Sequence, residues 1–338
     1  MSRVIDTLNE YRARALNREA ATRRDLVRRW LRVEDALADK IEALVREVGD
    51  LRAAGKPIQG TLYSLERYRS LLAQAQEEMR RYSRYAQALI SREQYLAAVE
   101  GLEYGVDSIR AVLTDAAIDA AFTRLDIEAV NVMAGFTADG TPLSQLLMRS
   151  YPETAVRLTD TLVTSVALGR NPRTTARLMR EDMAGNLQRA LTTARSEQLR
   201  ALRVANIQQY QASGVVQTYR RRAARNEACL ACLLLDGEEY AVASQFSDHP
   251  SGRCMCEAIL EGFPSPYAQS GQEYFEGLDP AAQREIMGDA RYEAWHSGDV
   301  PLEAMARMHT DPTWGESPQI VPLNQLTGQA SGLAMAAG

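Results

Sequence analysis

The feature that most constrains this 338-residue chain is a stripe. From Trp30 onward, apolar side chains fall at Trp30, Val33, Leu37, Ile41, Leu44, Val48 and Leu51, in steps of 3, 4, 4, 3, 4 and 3. That spacing puts them on one face of an α-helix. The segment 53–60, AAGKPIQG, breaks the pattern with Gly55, Pro57 and Gly60. A second stripe follows at Leu65, Tyr68, Leu72, Ala75, Met79, Tyr82, Ala86 and Leu89. Two striped helices joined by a short breaker predict an antiparallel hairpin. As one helix, residues 5–52 would reach about 70 Å at 1.5 Å per residue, a length suited to an arm or a strut. Exposed stripes need a surface to cover, so self-association through these N-terminal helices is expected.

Residues 91–200 also favour helix. Ser91 with Gln94 three residues on fits a capping box and predicts a helix start there. Gly135 and Gly169 fit helix ends, and Pro152 a restart. The segment 171–214 reads as two helices parted near Ala184–Gly185 and closed by Gly214. Beyond Gly214 the character changes. VVQTYRRRAAR has the β-branched start of a strand, and EEYAVASQF after Asp236–Gly237 reads as its partner.

All four cysteines lie within 28 residues: Cys229-Leu-Ala-Cys232, then Cys254-Met-Cys256, with His249 between the pairs. The N-terminus is charged and shows no apolar leader, so a reducing compartment is expected, in which thiols serve as metal ligands more readily than as disulfides. A CxxC turn offers two sulfurs to one tetrahedral ion, and a second pair completes the shell. The simplest shell is Cys229, Cys232, Cys254 and Cys256; in the alternative, His249 replaces one sulfur of the CxC pair. Zinc is the ion such a set favours. Four protein ligands leave no open position, so the ion would be structural and the chain not an enzyme. Catalytic pairs can be drawn from His249 with Asp248 or with Cys229, but no nucleophile elbow, phosphate loop, metalloprotease or dinucleotide fingerprint accompanies them.

The order of elements resembles the phage Mu protein F-like, or phage head morphogenesis (minor head protein), family. The resemblance covers roughly residues 170–327. It begins with ALTTARSEQLRALRVANIQQYQASGV and runs through Cys229-Leu-Ala-Cys232, Leu235-Asp236-Gly237, His249-Pro250 and Cys254-Met-Cys256. It closes with YFEGLDPAAQREIMGDARYEAWHSGDVPLEAM. The family's first CxC cysteine stands three residues after the histidine, whereas Cys254 stands five after His249. The resemblance implies a minor capsid component of the virion or prohead, made in the host cytoplasm. It would act in capsid assembly with the portal or capsid proteins, with the packaged DNA as a further contact.

Charge bears on that last point. The formal net charge is −5, which disfavours a general nucleic-acid coat. Yet Arg220, Arg221, Arg222 and Arg225 cluster beside the CxxC turn, and phosphate contact needs clustered cations. A zinc-containing nucleic-acid-binding protein using those arginines is therefore the alternative reading. No window is apolar enough to suggest a membrane span. The expected fold class is mainly α, with a long N-terminal helical hairpin, a helical bundle and a small α+β zinc-knuckle-type module near the C-terminus. The expected divisions are an arm at 1–115, a helical domain at 116–213, a Cys-rich metal-binding module with closing helices at 214–316 and a flexible tail at 317–338.

Overall fold

A computed structural model describes residues 2–55, 66–113, 134–137, 140–149, 151–168, 170, 172–311 and 315–326. The chain is mainly helical with a small sheet region near its C-terminus, as the sequence led us to expect. Two helices, α1 (Arg3–Ala53) and α2 (Glu66–Arg110), form the N-terminal hairpin. Short α3 (Leu143–Met148), α4 (Tyr151–Ala167) and long α5 (Pro172–Ser213) follow. No helix among the described residues is long and apolar enough to cross a membrane.

The fold divides into two compact units. One comprises Met1–Leu16, Gln94–Met133 and Gln198–Gly338; the other comprises Asn17–Glu93 and Ala134–Glu197. Neither is contiguous in sequence, because α1, α2 and α5 each run through both.

In the second unit the two stripes meet. Trp30, Val33, Leu37, Ile41, Leu44 and Val48 are buried in one cluster with Tyr68, Ala75, Met79, Tyr82 and Ala86. Leu71 and Ile90 are buried there too, while Leu72 and Leu89 pack at its edge. The Trp30 and Tyr82 rings meet edge to face at 5.0 Å. Gln74 donates to the Ala36 carbonyl and Tyr85 to Asp25, so the helices run antiparallel. Two expected boundaries are corrected. No helix starts at Ser91, since α2 runs unbroken from Glu66 to Arg110. No break occurs at Ala184–Gly185, since α5 continues through them. Met179 and Met183 before the glycine and Ala190 and Ala194 after it all bury in the same core, and that burial outweighs one glycine's cost of about 1 kcal/mol. The breaker at 56–60, position 65 and the helix expected to end at Gly135 (114–133) lie outside the described residues.

In the first unit, the end of α2 packs closely on the end of α5. A side chain at Gly101 would press into the Leu202 carbonyl, so only glycine permits that approach. After α5, Gly214 takes a φ of 69° and turns the chain into β1 (Val216–Arg222). β1 is the centre of a three-stranded antiparallel sheet. One neighbour is β2 (Glu239–Ala241), the expected partner; the other is β3 (Met255–Leu260), which the sequence reading did not anticipate. Between β1 and β2 lies α6 (Leu230–Leu234). Beyond β3 come α7 (Gly271–Glu276), α8 (Pro280–Met287) and α9 (Asp289–His296). Ser270 and Glu273 form a capping box at the start of α7, and Asp279 caps α8 ahead of Pro280. The hairpin β4 (Ala306–Asp311) and β5 (Gly315–Ile320) completes the unit. The expected tail thus begins inside β5, and 327–338 lies outside the described residues.

Candidate metal centre

The CxxC turn is placed by α6. Cys229 occupies its N-cap position and Cys232 is the third residue of its first turn. Leu230 and Leu233 lie in the same short helix and bury with Phe275, Met287, Tyr292 and Met305. The leucines therefore anchor α6 on the closing helices, while the cysteines join the sheet-side cluster around Tyr219, Phe246 and Cys254.

His249 arrives on a turn. The Gly252 N–H donates to the His249 carbonyl at 2.9 Å, with Pro250 and Ser251 at the corner. Ser251 has a φ of 64°, the left-handed conformation that the third residue of such a turn requires. The ring Nε2 lies 3.5 Å from the Cys229 sulfur and 3.1 Å from the Cys232 sulfur. Nδ1 lies 2.9 Å from the Pro250 carbonyl, which accepts its proton and leaves Nε2 free for a ligand's role.

Ligand atoms of Cys229, Cys232 and His249 all fall within 4.8 Å of one another, and those of Cys232, Asp248 and Cys254 do the same. Cys232 belongs to both groups. Cys229, Cys232, His249 and Cys254 could therefore hold a metal ion. Cys256, expected in the simplest shell, belongs to neither group among the described residues. It sits opposite Arg221 on β3 and is buried in the core. Its carbonyl accepts hydroxyl hydrogen bonds from Tyr104 at 2.5 Å and Tyr210 at 3.3 Å. His249, the alternative ligand, belongs to the first group.

Protons in the cluster follow its hydrogen bonds. The bond with Cys232, helped by His249, pulls the Cys229 thiol down to about 4. Bonding to Cys229 and Cys254 pushes Cys232 the other way, so Cys232 keeps the proton its neighbours give up. Cys254 is lowered by the same contact with Cys232. The bond to Cys229 raises His249 to about 9, with the Asp248 carboxylate contributing. Burial, the largest cause, pushes Cys256 up to about 12 against the opposing charges of Arg203 and Arg221, the behaviour of a packed thiol and not of a ready thiolate.

Asp248 is a brace. Its carboxylate takes Arg203 at 2.6 Å and Arg221 at 3.3 Å, and accepts the His249 backbone N–H at 3.1 Å. Arg203 also donates to the carbonyls of Gly252 and Cys254. It thus ties both ends of the ligand loop to α5. A side chain at Gly252 would collide with the Asp248 carboxylate, so this position needs glycine. The sequence reading missed Arg203. Its signal was a cation at a core position, in step with Leu199, Leu202 and Tyr210 on α5.

The four arginines named as a candidate nucleic-acid contact face inward or are partnered. Arg221 lies beneath the Phe246 ring at 4.3 Å and donates to the Ser247 carbonyl. Arg222 pairs with Glu257 at 2.5 Å and with Asp236 at 3.8 Å, and is equally buried. Arg225 binds Asp236 at 2.9 Å and the Gln269 carbonyl at 2.6 Å. Arg220, partly exposed, pairs with Glu239 at 3.0 Å. Asp236, from the Leu-Asp-Gly motif, also accepts the Ala223 N–H, so the motif locks the end of β1. The charge of all four is paired with acids of the fold.

No family model, curated protein or solved structure matches the chain.

Proposed function

We propose that this chain is a phage minor head, or head morphogenesis, protein: a structural virion component braced by one zinc ion. The observation that carries the metal half is the convergence of donors from three separate segments, CxxC, His-Pro and the first cysteine of CxC. Around one tetrahedral zinc, a sulfur at ~2.3 Å and a nitrogen at ~2.0 Å stand roughly 3.5 Å apart. The two sulfur-to-Nε2 separations of 3.5 and 3.1 Å suit that geometry. Three thiolates and an imidazole complete a shell with no open position, so the ion fastens the ligand loop and turns over no substrate.

The head-protein half is supported by the order of motifs, which sets CxxC, Leu-Asp-Gly, His-Pro and CxC ahead of the closing helices. Each motif has a physical task that suits a rigid assembly module: three carry ligands, and Asp236 locks the end of β1. Long helices and a braced knot suit a protein that positions others, here the portal or capsid proteins. The test is elemental analysis of the purified chain combined with its location in assembled particles. One zinc per chain and a place in proheads at low copy support the reading. A metal-free, folded chain overturns the metal half, and absence from particles overturns the head-protein half.

A further inference from the structure

The outward face of α1 carries an ordered charge pattern. Arg24, Arg28, Arg32, Asp35, Asp39 and Glu42 recur in steps of 4, 4, 3, 4 and 3, so they share one helical face, and all six are exposed. The first three are cations and the last three acids. Arg28 meets Asp25 at 3.4 Å. Among the described residues, the other five form no ion pair. Leu31, 51% exposed, stands next to Arg32 and is the one large exposed apolar side chain described on α1.

On a lone helix this order is unfavourable. Arg24, Arg28 and Arg32 stack like charges at i,i+4, as do Asp35 and Asp39. Turned against itself it becomes complementary. In an antiparallel pair whose two-fold axis passes between Val33 and Glu34, each residue faces the one whose number makes the sum 67. Arg32 then faces Asp35 of the other copy, and Arg28 faces Asp39. Glu42 falls opposite Asp25, with Arg24 one residue away. The two Leu31 side chains lie about 7.5 Å apart along the axis, at 1.5 Å per residue. A parallel pair would instead set Arg28 against Arg28.

We propose that this face of α1 is a homodimer interface, in which a second copy of the chain packs antiparallel across the Arg24–Glu42 segment. The contact is isologous, so one surface supplies both halves and the assembly closes at two. Opposite charges steer the encounter and fix the register. The interface is independent of the metal and of the head-protein reading.

Sedimentation of the full chain tests it. The wild type should dimerise at about 50 mM salt, and its Kd should rise at least ~10-fold at about 500 mM, where screening shortens the Debye length to a few ångströms. Arg28→Glu with Arg32→Glu, and separately Asp35→Arg with Asp39→Arg, should each weaken the dimer by a similar factor. All six positions are exposed, and unchanged helicity by circular dichroism verifies the fold. Combining all four reversals should restore the dimer to within about threefold of wild type, because a contact that sets the cationic half against the acidic half keeps its complementarity when both signs are exchanged. Overturning results are a wild type that stays monomeric at ~100 μM in low salt, a salt-insensitive dimer, a dimer that survives both double reversals, or a fourfold reversal that remains monomeric.

Discussion

Arg203 on α5 places its guanidinium 2.6 Å from a carboxylate oxygen of Asp248, and both side chains are almost fully buried. The same Asp248 neutralises Arg221 from β1. One acid therefore joins a helix, a strand and the loop that presents His249. Buried ions are costly when left alone, and removing one partner of such a pair typically destabilises by about 3–5 kcal/mol. Asp248→Ala leaves two guanidinium groups without their counter-charge and is expected to lose at least about 3 kcal/mol. Denaturant unfolding of the full chain measures it. A loss below ~1 kcal/mol would show that the brace contributes little.

The arginine cluster yields a graded expectation. Arg222→Ala strips the partner from buried Glu257 and should destabilise by about 3 kcal/mol or more. Arg220→Ala breaks only a partly exposed pair with Glu239 and should cost about 1 kcal/mol or less. Equal losses at the two positions would contradict the inward direction of Arg222. For the same reason, reduced DNA retention by an Arg220–Arg222 triple alanine chain has meaning only where folding is shown to be intact.

Two glycines should respond with opposite signs. Gly252→Ala drives a methyl group into a carboxylate that Arg203 and Arg221 hold in place, an overpacking that costs about 1–3 kcal/mol. Gly49 lies within α1, and an added side chain there meets nothing within 4 Å. Gly49→Ala should therefore stabilise by roughly 0.5–1 kcal/mol, through helix propensity and a more restricted unfolded chain. Thermal unfolding of both variants checks the contrast, and a destabilised Gly49→Ala would place an unrecognised constraint on that face.

Much of this fold is legible because its helices obey a single rule. Trp30 through Val48 repeat at helical spacing and bury where that spacing says they should. The failures have equally particular causes. Ser91 and Gly185 carry the local marks of a boundary, but packing on both sides keeps their helices continuous. Strand β3 is hidden because Met255–Leu260 is buried along most of its length and shows no alternation. Spacing brings out the cysteines, yet it cannot rank Cys256 against His249. That choice depends on the turn at Pro250–Ser251 and on Arg203, a long-range contact 45 residues away from Asp248. The arginines look like a surface patch in sequence because their acids, Asp236, Asp248 and Glu257, come later in the chain.

The ligand set gives the decisive substitution series. Cys256→Ser should retain one metal per chain, since its sulfur belongs to neither ligand group and its carbonyl, not its thiol, takes the tyrosine hydroxyls. His249→Ala, Cys229→Ser, Cys232→Ser and Cys254→Ser should each lower metal content. Cys232→Ser should be the most severe, because Cys232 belongs to both groups. Acid should act like a chelator: protons compete with the ion for thiolate and imidazole, so metal is released as pH falls and is retained as it rises. Elemental analysis gives the stoichiometry, and limited proteolysis across 215–262 reports the loosened loop. If Cys256→Ser loses the ion while His249→Ala keeps it, the shell is the four-thiolate one and the Pro250 turn has no ligand to present.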